Sequence, residues 1–386
     1  MAFLPFFISK QNKLKVIIVG GGYAGIAAMT TLMRYAPDTE VILIDPGSHH
    51  LKITHLHETF RYPLTDLLVP FSELESRYGC RHISAKVILD QALLQQYQIT
   101  KQIRGGEEVL DFDYLLVATG CENRSERHDQ PGVLSLSDFT VSSGSELLTP
   151  LLSHQSAADQ YINVIGGGAT GIQFLFEIKQ FHARIRSKVS LRLIHSGSRV
   201  LQQFPVAWSR YVESRMQELD IVFCPDTYYC GQQADTILLK AKHTGEHFEL
   251  PSRMSILFLG KKQEYLFTAN AFGQIMTDNG TLDNIFVAGD CSQYQSLGSN
   301  SQTAQSAVRK GKLSARNILR HSGLFGLLEP YLHQELGYVV SMGAADAVGW
   351  LGSEMNVMTG VPAVAIKELV EAQFDLLLSG MDTYLV

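Results

Sequence analysis

The strongest constraint on the fold of this chain is an internal repeat, in which an apolar strand runs directly into a glycine-rich turn. The first copy spans residues 15–25 (KVIIVGGGYAG), and the second spans residues 162–171 (INVIGGGATG). Each copy is followed by a stretch compatible with a helix and then by a second apolar strand, at 40–44 and at 189–194. A strand, a crossover helix and a parallel strand form one unit of an α/β sheet. The sequence therefore predicts an α/β fold that contains this unit twice.

Each glycine turn carries the pattern that binds the diphosphate of an adenine dinucleotide. In the first turn, Gly20 permits a tight bend, Gly22 lets the backbone approach the diphosphate, and Gly25 lets the helix pack close to the strand. The N-terminus of the helix offers N–H groups and positive potential to the phosphates. Asp45 comes about twenty residues later, where a carboxylate accepts hydrogen bonds from an adenosine ribose.

The second turn keeps the glycine spacing, with Gly166, Gly168 and Gly171. The position after its second strand is His195 instead of an acid, and Ser196 and Arg199 follow. A carboxylate there would repel a 2′-phosphate, whereas these side chains can donate hydrogen bonds to one. A dinucleotide with or without a 2′-phosphate is therefore compatible with this turn. The alternative interpretation is that His195 is a solvated loop residue and that Arg199 only caps a local turn.

The composition excludes several classes of protein. The chain has 386 residues, of which 45% are hydrophobic, so two or three packed domains are expected. The net charge is −6 and the basic residues are scattered, so we expect no nucleic acid partner. The five cysteines form no CxxC pair, which favours a reducing, cytoplasmic compartment. Residues 1–8 lack the basic start of a signal peptide, and no apolar run reaches the roughly 18 residues of a membrane-spanning helix.

Further segments follow in a fixed order. Buried-strand patterns occur at 112–120, 255–260 and 284–288, and the last leads into Gly289 and Asp290. The serine-rich stretch 135–145 is predicted to connect domains. With both glycine turns and these segments in this order, the chain resembles the pyridine-nucleotide-dependent flavoprotein superfamily over nearly its whole length.

This resemblance implies two Rossmann-like dinucleotide-binding domains, the second inserted in the first, plus a small C-terminal α+β region. It implies an FAD-binding domain at 12–125 and 265–325, an NAD(P)H-binding domain at 126–264, and an interface or membrane-proximal region at 326–386. The first turn would then bind FAD and the second NADH or NADPH. Besides the turn residues, the carried-over cofactor contacts are Tyr23, Ala24, Thr119, Gly120, Gly289, Asp290 and Ala304.

Within the superfamily, the chain is most similar to the type II NADH dehydrogenase (NADH:quinone oxidoreductase) group. The matching segments are 56–58 (LHE), 303–307 (TAQSA), 337–343 (GYVVSMG) and 346–349 (DAVG). The similarity implies hydride transfer from NAD(P)H to FAD and electron transfer to a quinone near Gln305, with Gln173 and His57 as further catalytic candidates. The thiol-dependent branches fit less well, because they need paired or sulfur-relaying cysteines.

The chain departs from that group at functional positions. Gln173 stands where the group has a glutamate near the nicotinamide and the flavin, and Arg309 stands where its AQxAxQ pattern has a second glutamine. Arg309 can bind a quinone carbonyl, block a neutral quinone, or be a solvated helix residue beside Lys310 and Lys312, which is the favoured interpretation. Two alternatives stay open: a soluble NAD(P)H oxidase or reductase of a small electron carrier, and a flavin-binding sensor with weak turnover.

Two other patterns are weighed. The histidines at 49, 50, 55 and 57 lack nearby cysteines, so pocket or loop roles are expected and no metal is predicted. The stretch 364–378 is predicted to form a helix that packs on the chain's own core or on a dimer mate, or that contacts the membrane surface peripherally. Its predicted apolar face consists of Ile366, Leu369, Val370, Phe374, Leu377 and Leu378, opposite Lys367, Glu368, Glu371 and Asp375.

Overall fold

The computed structural model describes residues 13–123, 131–153, 161–262, 266–323 and 326–381, so the apolar segment 1–8 lies outside the described residues. The helices are α1 (Tyr23–Tyr35), α2 (Phe71–Tyr78), α3 (Gln91–Thr100), α4 (Gly144–Ser153), α5 (Ala169–Arg184), α6 (Val206–Glu218), α7 (Ala304–Ser322) and α8 (Val361–Leu378). Short 3-10 helices lie at Ile53–Phe60, Leu64–Leu67 and Asp138–Thr140. The strands are β1 (Lys15–Val19), β2 (Glu40–Asp45), β3 (His49–Leu51), β4 (Leu68–Pro70), β5 (Arg81–Ser84), β6 (Gln102–Gly105), β7 (Glu108–Asp111), β8 (Tyr114–Val117), β9 (Glu122–Asn123), β10 (Val133–Ser135), β11 (Tyr161–Ile165), β12 (Ser190–Ile194), β13 (Val222–Cys224), β14 (Thr227–Gln233), β15 (Thr236–Ala241), β16 (His247–Pro251), β17 (Met254–Leu257), β18 (Lys261–Lys262), β19 (Phe267–Ala269), β20 (Gln274–Thr277), β21 (Gly280–Val287), β22 (Ser292–Tyr294), β23 (Gly337–Ser341), β24 (Ala347–Leu351) and β25 (Ser353–Thr359).

The larger sheet has eight strands, in the order β22-β19-β20-β21-β8-β1-β2-β5. The strands β21, β8, β1, β2 and β5 are parallel to one another. On β1, Val16 and Ile18 belong to one buried cluster, and Ile17 and Val19 belong to the cluster on the other face. A strand that is apolar on both faces requires a sheet covered on both sides. Here α1 and α7 cover one face, while α3 and the β6–β7 hairpin cover the other.

The second sheet has five parallel strands, in the order β10-β17-β11-β12-β13. Residues of α5 and α6, including Ile172 and Trp208, pack on one face. The other face is covered by the antiparallel sheet β14-β15-β16 through Ile237 and Leu239. Because these strands lie between the two parts of the chain that build the larger sheet, the predicted α/β fold with an inserted second Rossmann-like unit is confirmed. The domain boundaries given above stay a prediction.

The stretch 135–145 is more ordered than a connecting segment. It begins at the end of β10, which pairs with β17, and it contains a 3-10 helix and the start of α4. The side chain of Asp138 accepts hydrogen bonds from the N–H and the hydroxyl of Ser135 at 2.6 and 3.0 Å. Serine and aspartate therefore stabilise local turns and caps here. The same residue types are also common in flexible connections, so composition alone does not distinguish the two cases.

The helices α1 and α7 cross in direct main-chain contact. A Cβ atom on Gly311 would lie 2.2 Å from the carbonyl oxygen of Ala24, so a side chain at this position would push the helices apart. The contact lies at the start of α1, just after the first glycine turn. It fixes the position of α7, which begins at Ala304, relative to that turn.

The C-terminal region consists of the antiparallel sheet β23-β24-β25 and α8, and the orientation of α8 differs in part from the prediction. Lys367 and Glu371 point inward and form ion pairs, although they were predicted to face solvent. Leu369 and Val370 are exposed instead. The end of the helix packs on α1 through Phe374, Leu377 and Leu378, which matches the alternative of packing on the chain's own core. Within the described residues, no helix is both long and apolar enough to span a bilayer.

Candidate functional site

The first glycine turn is shaped by contacts that only glycine allows. Gly20 has a φ of +111°, and a Cβ on it would lie 2.3 Å from the carbonyl oxygen of Ala118. A Cβ on Gly25 would lie 1.9 Å from the carbonyl oxygen of Gly20. At Gly22 the situation is reversed, because no described atom lies within 4 Å of its Cβ position. The turn is therefore closely packed behind and open in front, at the N-terminus of α1, as a phosphate-binding turn requires.

The carboxylate of Asp45 holds this turn in place. Its Oδ2 accepts a hydrogen bond from the N–H of Gly21 at 2.7 Å, and its Oδ1 accepts one from the N–H of Gly47 at 2.7 Å. Both oxygens keep further lone pairs, so ribose hydroxyls can still donate to them. On the other side of the turn, Nδ1 of the buried His50 donates to the carbonyl oxygen of Gly21 at 2.9 Å. Burial lowers the pKa of His50 to about 4, so its ring is neutral near pH 7.

The other predicted flavin contacts lie around the same turn. The end of β8, which leads to Thr119 and Gly120, packs directly behind Gly20. A Cβ on Gly289 would lie 3.0 Å from the Cβ of Ala24. Oδ2 of Asp290 accepts a hydrogen bond from the thiol of Cys121 at 3.6 Å, which supplies a partner that the sequence did not suggest for this cysteine. The hydroxyl of Tyr23 is bonded to Thr54 at 2.8 Å, so this side chain serves the local packing.

The second glycine turn repeats the geometry of the first. Gly166 has a φ of +115°, and Cβ atoms on Gly166 and Gly171 would lie 2.3 and 1.9 Å from main-chain oxygens. No described atom lies within 4 Å of the Cβ position of Gly168, at the N-terminus of α5. The place of the acid is taken by His195, whose Nδ1 accepts a hydrogen bond from the N–H of Gly167 at 3.1 Å. His195 is therefore part of the turn and not a solvated loop residue.

Arg199 is committed to its own loop. Its guanidinium donates to the carbonyl oxygens of Gln202 at 2.8 Å and Phe204 at 3.1 Å, and to the hydroxyl of Ser209 at 2.6 Å. The geometry thus favours the capping role that the sequence left as the alternative. The expectation that Arg199 donates to a phosphate is not supported, because these bonds hold the guanidinium between the loop and α6.

The N-terminus of α7 is capped by Thr303, and the carboxylate of Glu335 lies beside this cap. Oγ1 of Thr303 accepts a hydrogen bond from the N–H of Ser306 at 3.0 Å, so the helix begins at Ala304. Oε1 of Glu335 accepts a bond from the Thr303 hydroxyl at 3.2 Å, and the amide oxygen of Gln305 accepts one from the N–H of Leu336 at 3.4 Å. The segment around residues 335–336 therefore borders Gln305 directly.

Arg309, for which a solvated position was the favoured prediction, lies on α7 beside lysines that are not solvated. Lys310 and Lys312 are buried, and Arg309 is half-buried. The ammonium of Lys310 donates to the carbonyl oxygen of Ser292 at 3.1 Å and to Oδ1 of Asn300 at 3.2 Å. Burial lowers the pKa of Lys310 to about 8. The two lysines are buried because α7 packs against both α1 and the segment that follows β22, whereas Arg309 keeps partial exposure.

A hydrogen-bonded chain joins the two other catalytic candidates. The amide nitrogen of Gln173 donates to the hydroxyl oxygen of Ser341 at 3.3 Å. The Ser341 hydroxyl lies 2.8 Å from Nε2 of His57 and can donate to it. His57 is buried, and this burial, reinforced by the charge of Lys367, lowers its pKa to about 3. His57 is therefore a neutral imidazole near pH 7, and its Nε2 can accept a hydrogen bond from the Ser341 hydroxyl.

Beyond His57 lies a group of paired charges that we call the charge cluster: His55, Glu58, Arg61, Glu177, Lys367 and Glu371. The ammonium of Lys367 lies 2.6 Å from both Glu58 and Glu371, and Arg61 lies 3.0 Å from Glu177. Burial alone would raise the pKa of Glu58, but the His55 hydrogen bond and the Lys367 charge bring it well below its usual range. Burial raises the pKa of Glu371, against the opposing effects of His55 and Lys367.

Three members of the charge cluster have the donor types of a metal site. Ligand atoms of His55, Glu58 and Glu371 lie within 4.8 Å of one another. The Lys367 ammonium is bonded to both carboxylates, so the positive charge that balances them comes from within the protein. The cluster thus serves to fasten α8 to the 3-10 helix at Ile53–Phe60.

Sequence reasoning missed Ser341, Lys367 and Glu371 as members of this site. Ser341 lies within the C-terminal segment that carried the family resemblance, and this was the available signal for it. No local pattern marks Lys367 and Glu371, because their partners are far away in the sequence.

Comparisons with known proteins agree with this geometry. Residues 14–311 match the pyridine nucleotide-disulphide oxidoreductase family. A type II NADH:quinone oxidoreductase of Staphylococcus saprophyticus is 24% identical over 414 residues, which cover 96% of this chain and 97% of that protein. The structure of NDH2 from Plasmodium falciparum in complex with NADH has a TM-score of 0.78 at 14% identity and covers 97% of this chain and 99% of that one. The sulfide:quinone oxidoreductase of Aquifex aeolicus has a TM-score of 0.76 at 17% identity, with 95% and 92% of the two chains covered.

Proposed function

Because the chain belongs to the pyridine nucleotide-disulphide oxidoreductase family, we propose that it is an FAD-dependent enzyme that oxidises NADH and reduces a quinone. The observation that carries this proposal is the pair of open glycine turns, each at a helix N-terminus and each with a side chain after its second strand hydrogen-bonded to it. Support for the quinone comes from the relative in Staphylococcus saprophyticus, which has this activity in its name and matches over nearly its whole length.

The residues of the first turn fit FAD. The open face at Gly22 leaves room for a diphosphate, and Asp45 has acceptor capacity for the adenosine ribose. Asp290 lies beside the same turn, where it would accept a bond from the ribityl chain. The flavin would supply the redox chemistry, since it accepts hydride from a nicotinamide and gives up electrons to a quinone.

The second turn would hold the hydride donor. Gly168 leaves the N-terminus of α5 open for the diphosphate, and Gln173 follows one turn along the same helix. Its amide is oriented by Ser341, so its carbonyl oxygen stays available to bind the carboxamide of a nicotinamide. Holding donor and acceptor rings in one orientation would be a main contribution of the protein to such a reaction.

The acceptor site would lie at the N-terminus of α7. Gln305 borders residues 335–336, and the nearby Leu332 and Leu336 are exposed apolar side chains. An amide beside exposed leucines suits a quinone, which has carbonyl oxygens on an apolar ring. We propose that Gln305 donates a hydrogen bond to a quinone carbonyl.

The chain from Gln173 through Ser341 to His57 would handle protons. Ser341, its middle member, can pass its hydroxyl proton to Nε2 of the neutral His57 only while it takes another proton from a bound substrate, and His57 then becomes a cation. The charge cluster lies directly behind it, with Oε1 of Glu58 at 3.7 Å from Nε2 of His57. These groups replace the single carboxylate that the family resemblance leads one to expect at Gln173.

We also propose peripheral contact with a membrane surface, at the cytoplasmic face, since a quinone substrate partitions into lipid. The outer face of α8 presents Leu369 and Val370, and Val361 is exposed at its start. Co-sedimentation with lipid vesicles tests this point, and replacement of Leu369 and Val370 by serine is expected to reduce the bound fraction. A homodimer stays a second proposal, which sedimentation velocity can check.

Anaerobic mixing of the purified protein with NADH tests the main proposal. The visible flavin absorption is expected to bleach rapidly, and addition of a menaquinone analogue is expected to restore it. A colourless protein, or a flavin that NADH does not reduce, would overturn the proposal. Fast reoxidation by oxygen but not by the quinone would instead favour a soluble NAD(P)H oxidase, for which the half-buried Arg309 near the proposed quinone site is the supporting observation.

A further inference from the structure

The two glycine turns use different side chains for the same contact. In the first turn, a carboxylate oxygen of Asp45 accepts from the N–H of Gly21 at 2.7 Å. In the second, Nδ1 of His195 accepts from the N–H of Gly167 at 3.1 Å. The Asp45 oxygen and the His195 nitrogen are both bonded to Cγ, so they lie equally far along the side chain. His195 is thus the structural counterpart of Asp45, at the position where the adenosine ribose of the second dinucleotide is recognised.

The contact with Gly167 determines what His195 can offer a ligand. Because Nδ1 accepts a hydrogen bond from the main-chain N–H of Gly167, the proton of the neutral ring is on Nε2. Burial, followed by the charge of Lys242, lowers the pKa of His195 and keeps the ring neutral near pH 7. A neutral N–H donor bonds to the oxygen of a 2′-hydroxyl or to a 2′-phosphate equally well in geometric terms. A carboxylate accepts from the hydroxyl but repels the phosphate.

The charges around His195 come from the ends of strands in the antiparallel sheet β14-β15-β16. Asp226 precedes β14, and Lys242 and His243 follow β15. The Lys242 ammonium donates to the carbonyl oxygen of Ser196 at 2.9 Å, which places it beside the residue that follows His195. Asp226 lies 3.7 Å from Lys242 and 3.5 Å from the exposed His243, so its charge is shared between two partners. Of these two charges, Lys242 lowers the pKa of His195 more than Asp226 raises it. Lys242 is 38% exposed and can turn towards a ligand, whereas Arg199 is held by its own loop.

We propose that the second turn accepts NADPH as well as NADH, with His195 permitting the 2′-phosphate and Lys242 supplying its counter-charge. The proposal rests on the proposed function, in which this turn binds the hydride donor. It makes His195 and Lys242 specificity-determining residues, distinct from Gln173, which would contact the nicotinamide end.

A pair of isosteric variants provides the decisive test. His195→Asp and His195→Asn both place an oxygen on Cγ that can accept from Gly167, but only the first adds negative charge. We expect His195→Asn to keep the binding of 2′,5′-ADP measured by calorimetry, and His195→Asp to weaken it about 100-fold, since like charges repel at close range. Binding of 5′-ADP, which lacks the 2′-phosphate, is expected to stay within about threefold in both variants.

Lys242 is tested with a matched lysine. Lys242→Met is expected to weaken 2′,5′-ADP binding and to raise KM for NADPH about tenfold, because a charge-assisted hydrogen bond is lost. KM for NADH should not change. Lys240→Met, which removes a lysine from β15 two positions earlier, is expected to change neither value.

The outcomes separate this inference from the proposed function. If NADH bleaches the flavin and NADPH reacts with a kcat/KM lower by more than about 1000-fold, the inference is wrong while the proposed function stands. An unchanged 2′,5′-ADP affinity in His195→Asp would also overturn it. If neither nucleotide reduces the flavin, the proposed function fails, and calorimetry with 2′,5′-ADP still tests whether the turn binds a 2′-phosphate.

Discussion

Replacement of either open glycine, Gly22 or Gly168, by alanine is expected to impair ligand binding without preventing folding. Gly22 and Gly168 have ordinary negative φ values of −77° and −79°, and no described atom lies near their Cβ positions. Alanine therefore fits each turn but occupies the space that a diphosphate needs. We predict that Gly22→Ala yields folded protein with little bound FAD, and that Gly168→Ala keeps its FAD but has a KM for NADH raised about tenfold or more.

Flavin absorbance per protein and steady-state kinetics measure the two effects, and far-ultraviolet circular dichroism checks the fold. Gly20→Ala is the contrasting control, because its Cβ would collide with Ala118 and its φ is positive. This variant should fold poorly. Normal flavin content in Gly22→Ala would contradict the assignment of the first turn.

The hydroxyl of Ser341 is predicted to matter for catalysis more than for binding. Ser341→Ala leaves Gln173 and the buried His57 without their shared partner, so kcat should fall about tenfold or more, with a smaller rise in KM for NADH because Gln173 loses the hydroxyl that orients it. The solvent isotope effect on kcat should also change, which a purely structural role would not cause. Ser341→Thr keeps the hydroxyl and should recover most of the activity, whereas equal loss in both variants would contradict a proton-handling role.

Individual site residues were predictable only where the repeat aligned them. The glycines, Asp45 and His195 follow from matching the second copy to the first, and the structure places each in the equivalent contact. Ser341 and Lys367 could not be found in this way, because they reach the site through partners about 170 to 310 positions away. Arg199 was ambiguous in the sequence because an arginine can serve a loop and a ligand equally well.

The attachment of α8 depends on a buried cation. Lys367→Met removes the ammonium that Glu58 and Glu371 share, and leaves these carboxylates, only 12% and 21% exposed, with the longer contacts to His55 and Arg61. Removing one partner from a buried group of ion pairs costs about 3 kcal/mol, so we predict a loss of this size in the free energy of unfolding, measured by urea titration. Proteolysis near the C-terminus should also become faster.

Lys52→Met is the matched control for this helix. Lys52 pairs with Asp375, which is 55% exposed, so its removal should cost less than about 1 kcal/mol. Equal losses in the two variants would indicate that burial of the pair has no special role in holding α8.

For helices and strands, the sequence predicted where an element forms, but it did not always predict which face of the element points inward. The strands predicted at 40–44 and 189–194 agree with Glu40–Asp45 and Ser190–Ile194. The helix predicted at 364–378 also exists, but hydrophobic periodicity assigned Lys367 and Glu371 to the wrong face. Periodicity assumes that charged residues avoid the interior, and this assumption fails where opposite charges are buried together.

For the whole molecule, we predict that stability falls as the pH decreases from 6.5. Burial lowers the pKa of His50, His57 and His182 from 6.5 to about 4, 3 and 4, so the unfolded chain binds protons before the folded chain does. Their contribution is therefore fully present above pH 6.5 and is lost as the pH falls towards those values. Glu58, with its lowered pKa, acts in the same direction below pH 4.5.

Glu177 and Glu371 act in the opposite direction, since burial raises their pKa values and their contribution is lost as the pH rises through them. Between pH 5 and 6.5, the three histidines make stability rise with pH. Melting temperatures measured between pH 5 and 7.5 should show a smaller slope for His182→Asn than for the parent protein. An unchanged slope in His182→Asn would contradict this assignment.

The architecture as a whole was the most predictable feature, because the internal repeat restricts the chain to parallel sheets covered on both faces. The superfamily resemblance drawn from the same motifs is confirmed by the family match over residues 14–311. The antiparallel sheet β14-β15-β16 on the second unit was not predicted, since its strands carry alternating patterns that no motif announces.

The crossing of α1 and α7 at Ala24 and Gly311 has a consequence for how this molecule can diverge. Gly311 lies seven residues into α7, or about 10 Å from its first residue, while Ala24 lies at the very start of α1. The spacing between the two helix ends is thus dictated by main-chain atoms, which neither rotamer changes nor ordinary substitutions can alter. A ligand that contacts the N-terminal ends of both α1 and α7 therefore binds across a constant distance. Substitutions can then change the hydrogen-bond donors and acceptors around the ligand without changing the distance between the two helix ends.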